Sequence, residues 1–326
     1  MTALGGIDLG GTKIQAVVVD DDGQVRGSAR RPTPVDGGPP DVAAAIAEVM
    51  ALAAQAAGTP TSSLAAIGVG SPGVVDAAAG TVTSARNLPG WEGSFALGDA
   101  LERSLGTEVM LGNDVQVATD AEFRLGAGRP YRSLIGVFWG TGVGGGLILE
   151  GRPWVGRGGA GEIGHMVVKV GGARCGCGRR GCMEAYAGRA AMERRARKMA
   201  AGGARTDLFE IMRRRERTRL TSGVWARALR RKDPVAKRLI DRAVRALGAG
   251  VASAVNLLDV EAVIIGGGLG VRLGAPYAER IAAAMKPHLF ADQRPPDVYV
   301  AALGDLGGAI GAALLAAAPD ATPVPA

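Results

Sequence analysis

Between Glu162 and Glu184 the chain reads Glu162-Ile-Gly-His165, nine further residues, then Cys175-Gly-Cys177-Gly-Arg-Arg-Gly-Cys182-Met-Glu184. All three cysteines of the protein and one of its two histidines fall within this stretch. Three sulfur ligands and one imidazole make a closed tetrahedral zinc site, and the glycines let the chain fold tightly around the ion. Unpaired cysteine is often only a small buried hydrophobe, but Cys-x-Cys-x4-Cys spacing is a ligand pattern. A catalytic zinc keeps one coordination position open. A fourth protein ligand closes it, so His165, Cys175, Cys177 and Cys182 read as a structural set. Glu162 and Glu184 flank these ligands, and the ion would hold both carboxylates in place.

Glycine loops supply the second kind of chemistry. Residues 4–29 read as strand, glycine turn, strand, Asp/Gly hairpin and strand, with Gly10, Gly11, Thr12 and Lys13 in the first turn. A turn without Cβ atoms lets backbone N–H groups approach a phosphate, and Asp8 at the end of the first strand would face the accompanying metal. Residues 134–149 repeat the pattern, with Gly140, Thr141 and Gly142 between two strands. Two such hairpins about 130 residues apart imply a duplicated architecture with two phosphate-holding loops. A third glycine run, Gly266-Gly267-Gly268, ends a buried strand at Val260–Ile265 and suits a nucleotide base or ribose lying against backbone.

Gly68, Gly70 and Gly73 fit the dinucleotide pattern Gly-x-Gly-x-x-Gly, but Pro72 and the strand-like Val74-Val75 oppose the helix that such a fingerprint requires. The expectation there is a tight loop lining a polar pocket, with Asn87 on the next loop. Asn113-Asp114 opens a helix directly after a strand. Aspartate in that place is usually an N-cap, yet it is also well placed to act as a general base.

The elements that must carry these residues alternate. Helices are expected at about 41–57, 94–105, 115–125, 184–201, 207–217, 223–231, 234–258, 273–286 and 306–318, with strands at 108–111 and 297–301 between them. The Pro/Ala tail from Ala317 reads as frayed. A 47% hydrophobic content over 326 residues suffices for one large domain or two lobes. No charged-then-apolar leader and no run of 18 apolar residues is present, and three cysteines cannot all pair. The reading is therefore a cytoplasmic protein without membrane association. The net charge of +7 is unevenly spread: residues 189–232 carry +11, leaving the remainder at −4. That basic stretch is helical by composition and reads as a solvated helical face in preference to a nucleic-acid surface.

Taken together, Asp8-Leu-Gly-Gly-Thr-Lys13, Gly140-Thr-Gly-Val-Gly-Gly-Gly146, Val263-Ile-Ile-Gly-Gly-Gly268 and the Glu162–Glu184 motif resemble, in order, those of the ROK family of sugar kinases and repressors. The resemblance implies an α/β, two-lobed, actin-like ATPase (ribonuclease H-like) fold with a structural zinc loop and with sugar and ATP in the cleft. The smaller lobe is expected at 1–113 plus 306–326 and the larger at 114–305. It further implies ATP-dependent phosphorylation of the 6-hydroxyl of a hexose, with glucose favoured, Mg2+ accompanying ATP, and a homodimer or homotetramer. Asp114 would be the general base and Asn113 would hold the 4-hydroxyl. Glu162, His165 and Glu184 would bind other sugar hydroxyls, with Gly73 and Asn87 completing the pocket. Asp8 to Lys13, Gly140 to Gly142 and Gly266 to Gly268 would hold the nucleotide. Fructose, N-acetylmannosamine, allose and a polyphosphate donor remain as alternatives. A repressor of the family would need a DNA-binding module ahead of a first strand that here begins at Leu4, so a kinase is expected.

Overall fold

The computed structural model describes residues 3–85 and 87–317, so the tail beyond Ala317 lies outside the described residues. The chain divides into two compact units. The first comprises Met1–Gly126, Val155–Ala160 and Ala302–Ala326, and the second Ala127–Trp154 and Gly161–Ala301.

In the first unit, β1 (Leu4–Leu9), β2 (Lys13–Val19) and β3 (Val25–Pro32) form an antiparallel meander. Helix α1 (Pro39–Ala56) leads to β4 (Ile67–Ser71), parallel to β1. A small sheet of β5 (Val74–Asp76), β6 (Thr81–Thr83) and β7 (Ser94–Phe95) follows. Helix α2 (Leu97–Leu105) then leads to β8 (Val109–Asn113), parallel to β4, and to α3 (Asp114–Leu125). The main sheet has the order β3-β2-β1-β4-β8.

The second unit repeats this plan. Its strands β9 (Leu134–Trp139), β10 (Val143–Leu149) and β11 (Arg152–Pro153) form the meander. Six helices precede the next strand or follow it directly: α4 (Glu184–Ala187), α5 (Arg189–Ala201), α6 (Leu208–Arg214), α7 (Ser222–Arg230), α8 (Pro234–Leu258) and, after β12 (Ala262–Gly266), α9 (Gly267–Leu273). Helix α10 (Ala275–Met285) leads to β13 (Asp297–Val300), giving the order β11-β10-β9-β12-β13. Both sheets thus have an antiparallel meander on one side of a central strand and two parallel strands on the other. This is the duplicated ribonuclease H-like arrangement expected from the sequence. The chain ends its described course with α11 (Gly307–Ala316), which belongs to the first unit.

Each unit has its own apolar core. β2 shows how alternation builds the first. Ile14, Ala16 and Val18 face α1, while Val17 and Val19 face Ala309, Ile310 and Ala313 of α11. In the second unit the long α8 starts at Asp233, whose side chain caps Ala236 N at 2.7 Å, with Pro234 in the first turn.

The glycines of the 68–73 run have packing roles. Gly6 and Gly68 are neighbours across β1 and β4. A Cβ on Gly6 would collide with Ala309 O and Ala313 N, and one on Gly68 with Ala312 O, so α11 rests directly on the sheet backbone. A Cβ on Gly70 would meet the Val117 side chain of α3, and Gly73 has φ of +92°. β5 follows, a strand and not a helix, which removes the dinucleotide reading.

Several boundaries differ from the sequence expectation. Helix α3 lies in the first unit, which runs to Gly126, because α11 packs closely on it: a Cβ on Gly311 would strike Val117 O. The expected 184–201 helix is divided by Gly188, whose ψ of 133° ends α4. At the expected Gly266–Gly268 loop, Gly266 ends β12 and Gly267 and Gly268 begin α9.

Gly68→Ala is expected to lower stability by about 3 kcal/mol, because the helix backbone must retreat from the sheet. Urea unfolding checks it, with a midpoint unchanged from wild type as the contrary result.

Candidate active site

The candidate residues of the first unit gather at the carboxyl ends of its parallel strands, where open α/β sheets bind ligands. Asp8, the penultimate residue of β1, lies beside Gly70 of β4, and Ser71 of β4 pairs with Asn113 of β8. In the β1–β2 turn, Gly10 N donates to Lys13 O at 3.0 Å, while Gly10 O accepts the Thr33 hydroxyl and Thr12 O accepts Thr33 N. The turn is therefore pinned by its carbonyls. The amides of Gly11 and Thr12 make no hydrogen bond to another described residue. Two adjacent free amides on a pinned turn form a small anion-binding concavity.

Burial pushes the Asp8 carboxyl above its usual range, with nearby Lys13 acting in the opposite direction. Lys13 itself reaches Asp305 O at 3.4 Å and Gln15 Oε1 at 3.5 Å. A half-buried carboxylate whose burial outweighs its one nearby cation is chemically suited to holding a further cation.

Asn113 is the N-cap of α3: its Oδ1 accepts Val115 N and Gln116 N, both at 3.1 Å. The sequence placed aspartate in that capping role. Asp114 instead occupies the first helical position, and its Oδ1 accepts Val115 N at 2.9 Å. With its oxygen committed to the cap, Asn113 has its amide N–H groups to offer a substrate oxygen. Asn87 is exposed and packs on the first turn, since a Cβ on Gly11 would strike Asn87 O. Its loop is anchored by the buried Trp91, whose indole donates to Val82 O at 3.0 Å, and Gly73 packs against Thr83 O and Ala85 in the same region.

In the second unit the β9–β10 turn repeats the device. Gly140 N donates to Gly142 O at 3.0 Å, and the amides of Thr141 and Gly142 make no hydrogen bond to another described residue. Gly267 lies against the backbone of Trp139, at the root of this turn, and Gly266 lies against the Phe138 ring. Gly267 has φ of +75°, so no other residue fits there without strain. The structure thus brings two of the three nucleotide-type motifs together.

The metal motif joins them. The ligand atoms of His165, Cys175, Cys177 and Cys182 lie within 4.8 Å of one another. Cys177 and Cys182 sulfurs are 3.7 Å apart, and Cys175 Sγ is 3.8 Å from His165 Nδ1. A tetrahedral zinc with Zn–S bonds of about 2.3 Å requires sulfur–sulfur edges of about 3.8 Å, so the cluster fits zinc. Burial pushes the Cys175 thiol up to about 12 and also raises Cys182. At Cys177 burial acts the same way but is outweighed by the Arg179 amide and the neighbouring thiols, and the thiol is held at about 7. A divalent ion is what permits three clustered sulfurs to be ionised together.

The remaining ring nitrogen of His165, Nε2, lies 3.7 Å from the exposed Glu162 carboxylate. Gly164, between them, packs on Val143 O with no room for a Cβ. Glu184 accepts Val143 N on Oε2 at 3.1 Å, while its Oε1 lies 3.5 Å from Cys175 Sγ. A Cβ on Gly142 would collide with that carboxylate. The sequence-predicted Glu162, His165, Glu184 and Gly142 are therefore one cluster. Tyr186 was not anticipated: its hydroxyl accepts Ala173 N at 2.8 Å, Arg242 stacks on its ring at 4.4 Å, and it thereby clamps the cysteine loop. An aromatic two residues after Glu184 in a chain with 4% aromatic residues was the available signal.

Cys182→Ala is expected to abolish binding of one equivalent of metal and to lower Tm by about 5–10 °C, checked by elemental analysis and calorimetry. Full metal content in that variant would contradict the ligand assignment.

A family model described as ROK family matches residues 4–318. A glucokinase from Thermotoga maritima is 33% identical over 324 residues, covering 94% of this chain and 95% of that one. An N-acetylgalactosamine kinase from a Shewanella species is 33% identical over 329 residues, covering 97% of each. The crystal structure of a ROK family glucokinase from Streptomyces griseus, in complex with glucose and AMPPNP, matches with a TM-score of 0.83 and 32% identity. It covers 96% of this chain and 98% of that one. Over nearly its whole length, then, in motif order and in duplicated topology, the chain belongs to the ROK family and has the actin-like α/β fold of its sugar kinases.

Proposed function

We propose that the protein transfers the γ-phosphoryl group of ATP to the 6-hydroxyl of glucose. The observation that carries this reading is the pair of pinned turns with adjacent free amides, at Gly11–Thr12 and at Thr141–Gly142. Phosphoryl transfer needs positioning and charge neutralisation more than covalent help from the protein, and such turns provide both. The Streptomyces griseus relative crystallised with glucose and AMPPNP supports the choice of sugar and nucleotide. Relatives named as N-acetylgalactosamine and N-acetylmannosamine kinases keep an N-acetylhexosamine as the second reading.

In this reading Asp114 accepts the proton of the sugar 6-hydroxyl as its oxygen bonds to the γ-phosphorus and the bond to the β-phosphate oxygen breaks, releasing ADP. The Val115 amide on Asp114 Oδ1 fixes the carboxylate orientation. Asn113 donates to the 4-hydroxyl oxygen. Glu162, His165 and Glu184 read further hydroxyls, each carboxylate able to accept two hydroxyl protons and so to discriminate stereochemistry. Gly73 and Asn87 complete the sugar contacts, and Gly10, Gly11, Thr12, Lys13, Gly140, Thr141, Gly142 and Gly266 to Gly268 hold the nucleotide. Asp8 would hold Mg2+, which supplies neutralisation of phosphate charge. The cysteine–histidine set would hold zinc, which supplies rigidity to His165 and Glu184 and no Lewis-acid chemistry.

A panel of hexoses and N-acetylhexosamines with ATP or polyphosphate as donor tests the reading directly. Glucose 6-phosphate is the expected main product, and no product from any sugar would overturn it. Asp114→Asn is expected to reduce kcat by about 10²–10⁴-fold while glucose Kd changes by less than about threefold. Loss of sugar binding in a folded Asp114→Asn protein would remove the base assignment. Metal-depleted but folded protein is expected to bind glucose at least about tenfold more weakly, read by titration calorimetry.

A further inference from the structure

Residues 189–232 were expected to form a solvated basic face, and the first of them departs from that expectation. Arg189 opens α5 immediately after the extended Gly188. Its backbone amide donates to Gly140 O, and that of Ala190 to Thr141 O, both at 3.1 Å. The second glycine turn therefore caps α5 with its carbonyls, which uses two of the helix's unpaired N–H groups. In a trans peptide the N–H points opposite to the C=O. The free amides of Thr141 and Gly142 consequently face away from the helix.

The side chain returns to the same turn. Arg189 Nη2 donates to Thr141 Oγ1 at 2.6 Å, and Nε is sealed from solvent with no hydrogen-bond partner among the described residues. Glu193, one helical turn on, is the carboxylate within reach. Its Oε1 takes Arg197 and its Oε2 takes Leu220 N. Burial also pulls the Arg189 pKa down, with Glu193 opposing and Arg219 reinforcing the fall. A half-buried guanidinium with its Nε sealed and no carboxylate of its own is costly and is compensated by an anion nearby. Thr141 fills a lone pair with the arginine N–H, so its hydroxyl proton is left to donate to something else.

We propose that Arg189 is a positioning residue that turns the Gly140–Gly142 hairpin into a phosphate site. It orients the Thr141 hydroxyl toward an anionic oxygen of the nucleotide and places a fixed positive charge behind the two free amides. The inference rests on the kinase reading above and extends it to a residue outside the glycine motifs.

The test compares wild type with Arg189→Met, Arg189→Lys, Thr141→Val and the Arg189→Met/Thr141→Val double variant. Steady-state kinetics with ATP and glucose are measured, together with glucose Kd in the absence of nucleotide. Arg189→Met is expected to raise KM for ATP about tenfold with glucose Kd within about twofold of wild type, and Arg189→Lys to recover part of the loss. Thr141→Val should raise KM for ATP similarly, and the double variant should be no worse than the poorer single one, because both remove one interaction. Additive effects, or KM for ATP within twofold of wild type in Arg189→Met, would overturn the proposal. Should Arg189→Met melt far below wild type, the exposed Thr141→Val decides, and an unchanged KM for ATP there is equally fatal. Wild-type turnover with insensitive variants overturns this inference alone, whereas a wild type that neither binds nor uses ATP overturns the kinase reading and this inference with it.

Discussion

The carboxylate of Glu184 accepts the Val143 amide with one oxygen and lies against the Cys175 sulfur with the other. Through that single side chain the cysteine loop, the glycine hairpin and the start of α4 are locked in one geometry. A carboxylate held by a backbone N–H and abutting the cysteine cluster loses almost all freedom to rotate, and the entropic cost of ordering it is met by folding and not by ligand binding. The same side chain fills the space that Gly142 leaves open, since a Cβ there would strike the Glu184 carboxylate.

The two units solve the same problem with different partners. In each, a tight turn between antiparallel strands commits its carbonyls to neighbouring structure and leaves two consecutive amides unspent. In the first unit the carbonyls are taken by Thr33 at the end of β3, and in the second by the amino end of α5. The first turn has a half-buried acid, Asp8, close by; the second has a half-buried base, Arg189. One turn thus offers a carboxylate suited to a cation and the other a guanidinium suited to an anion.

Much of this was legible in the residues. The cysteine and histidine spacing announced its cluster, and the repeated strand–glycine–strand pattern announced the duplicated sheet. Pro72 with Val74-Val75 correctly argued against a dinucleotide loop. What the sequence could not reveal depends on contacts between distant segments. Gly68 reads as part of a pocket-lining loop, yet with Gly6 it lets α11 touch the sheet. The helical composition of 184–201 is uniform enough to hide Gly188, whose extended backbone separates the metal loop from the basic helices. Gly266 to Gly268 read as a loop because glycine disfavours helix, while packing against Phe138 and Trp139 overrode that preference. Arg189 was counted with its solvated neighbours because charge alone carries no depth.

The seating of α11 on Gly6 and Gly68 bears on how the chain assembles. The first unit is discontinuous: its sheet is built from residues 4–113, but the helix covering one face of that sheet lies some 200 residues downstream. During synthesis the early strands emerge with Val17 and Val19 uncovered. They must wait while the whole of the second unit, which lies between Ala127 and Ala301, is made and can fold. Closing so distant a contact is slow relative to local helix and hairpin formation. The fold therefore favours completion from the middle outward, with the exposed valine face of β2 as the surface most in need of protection until α11 arrives.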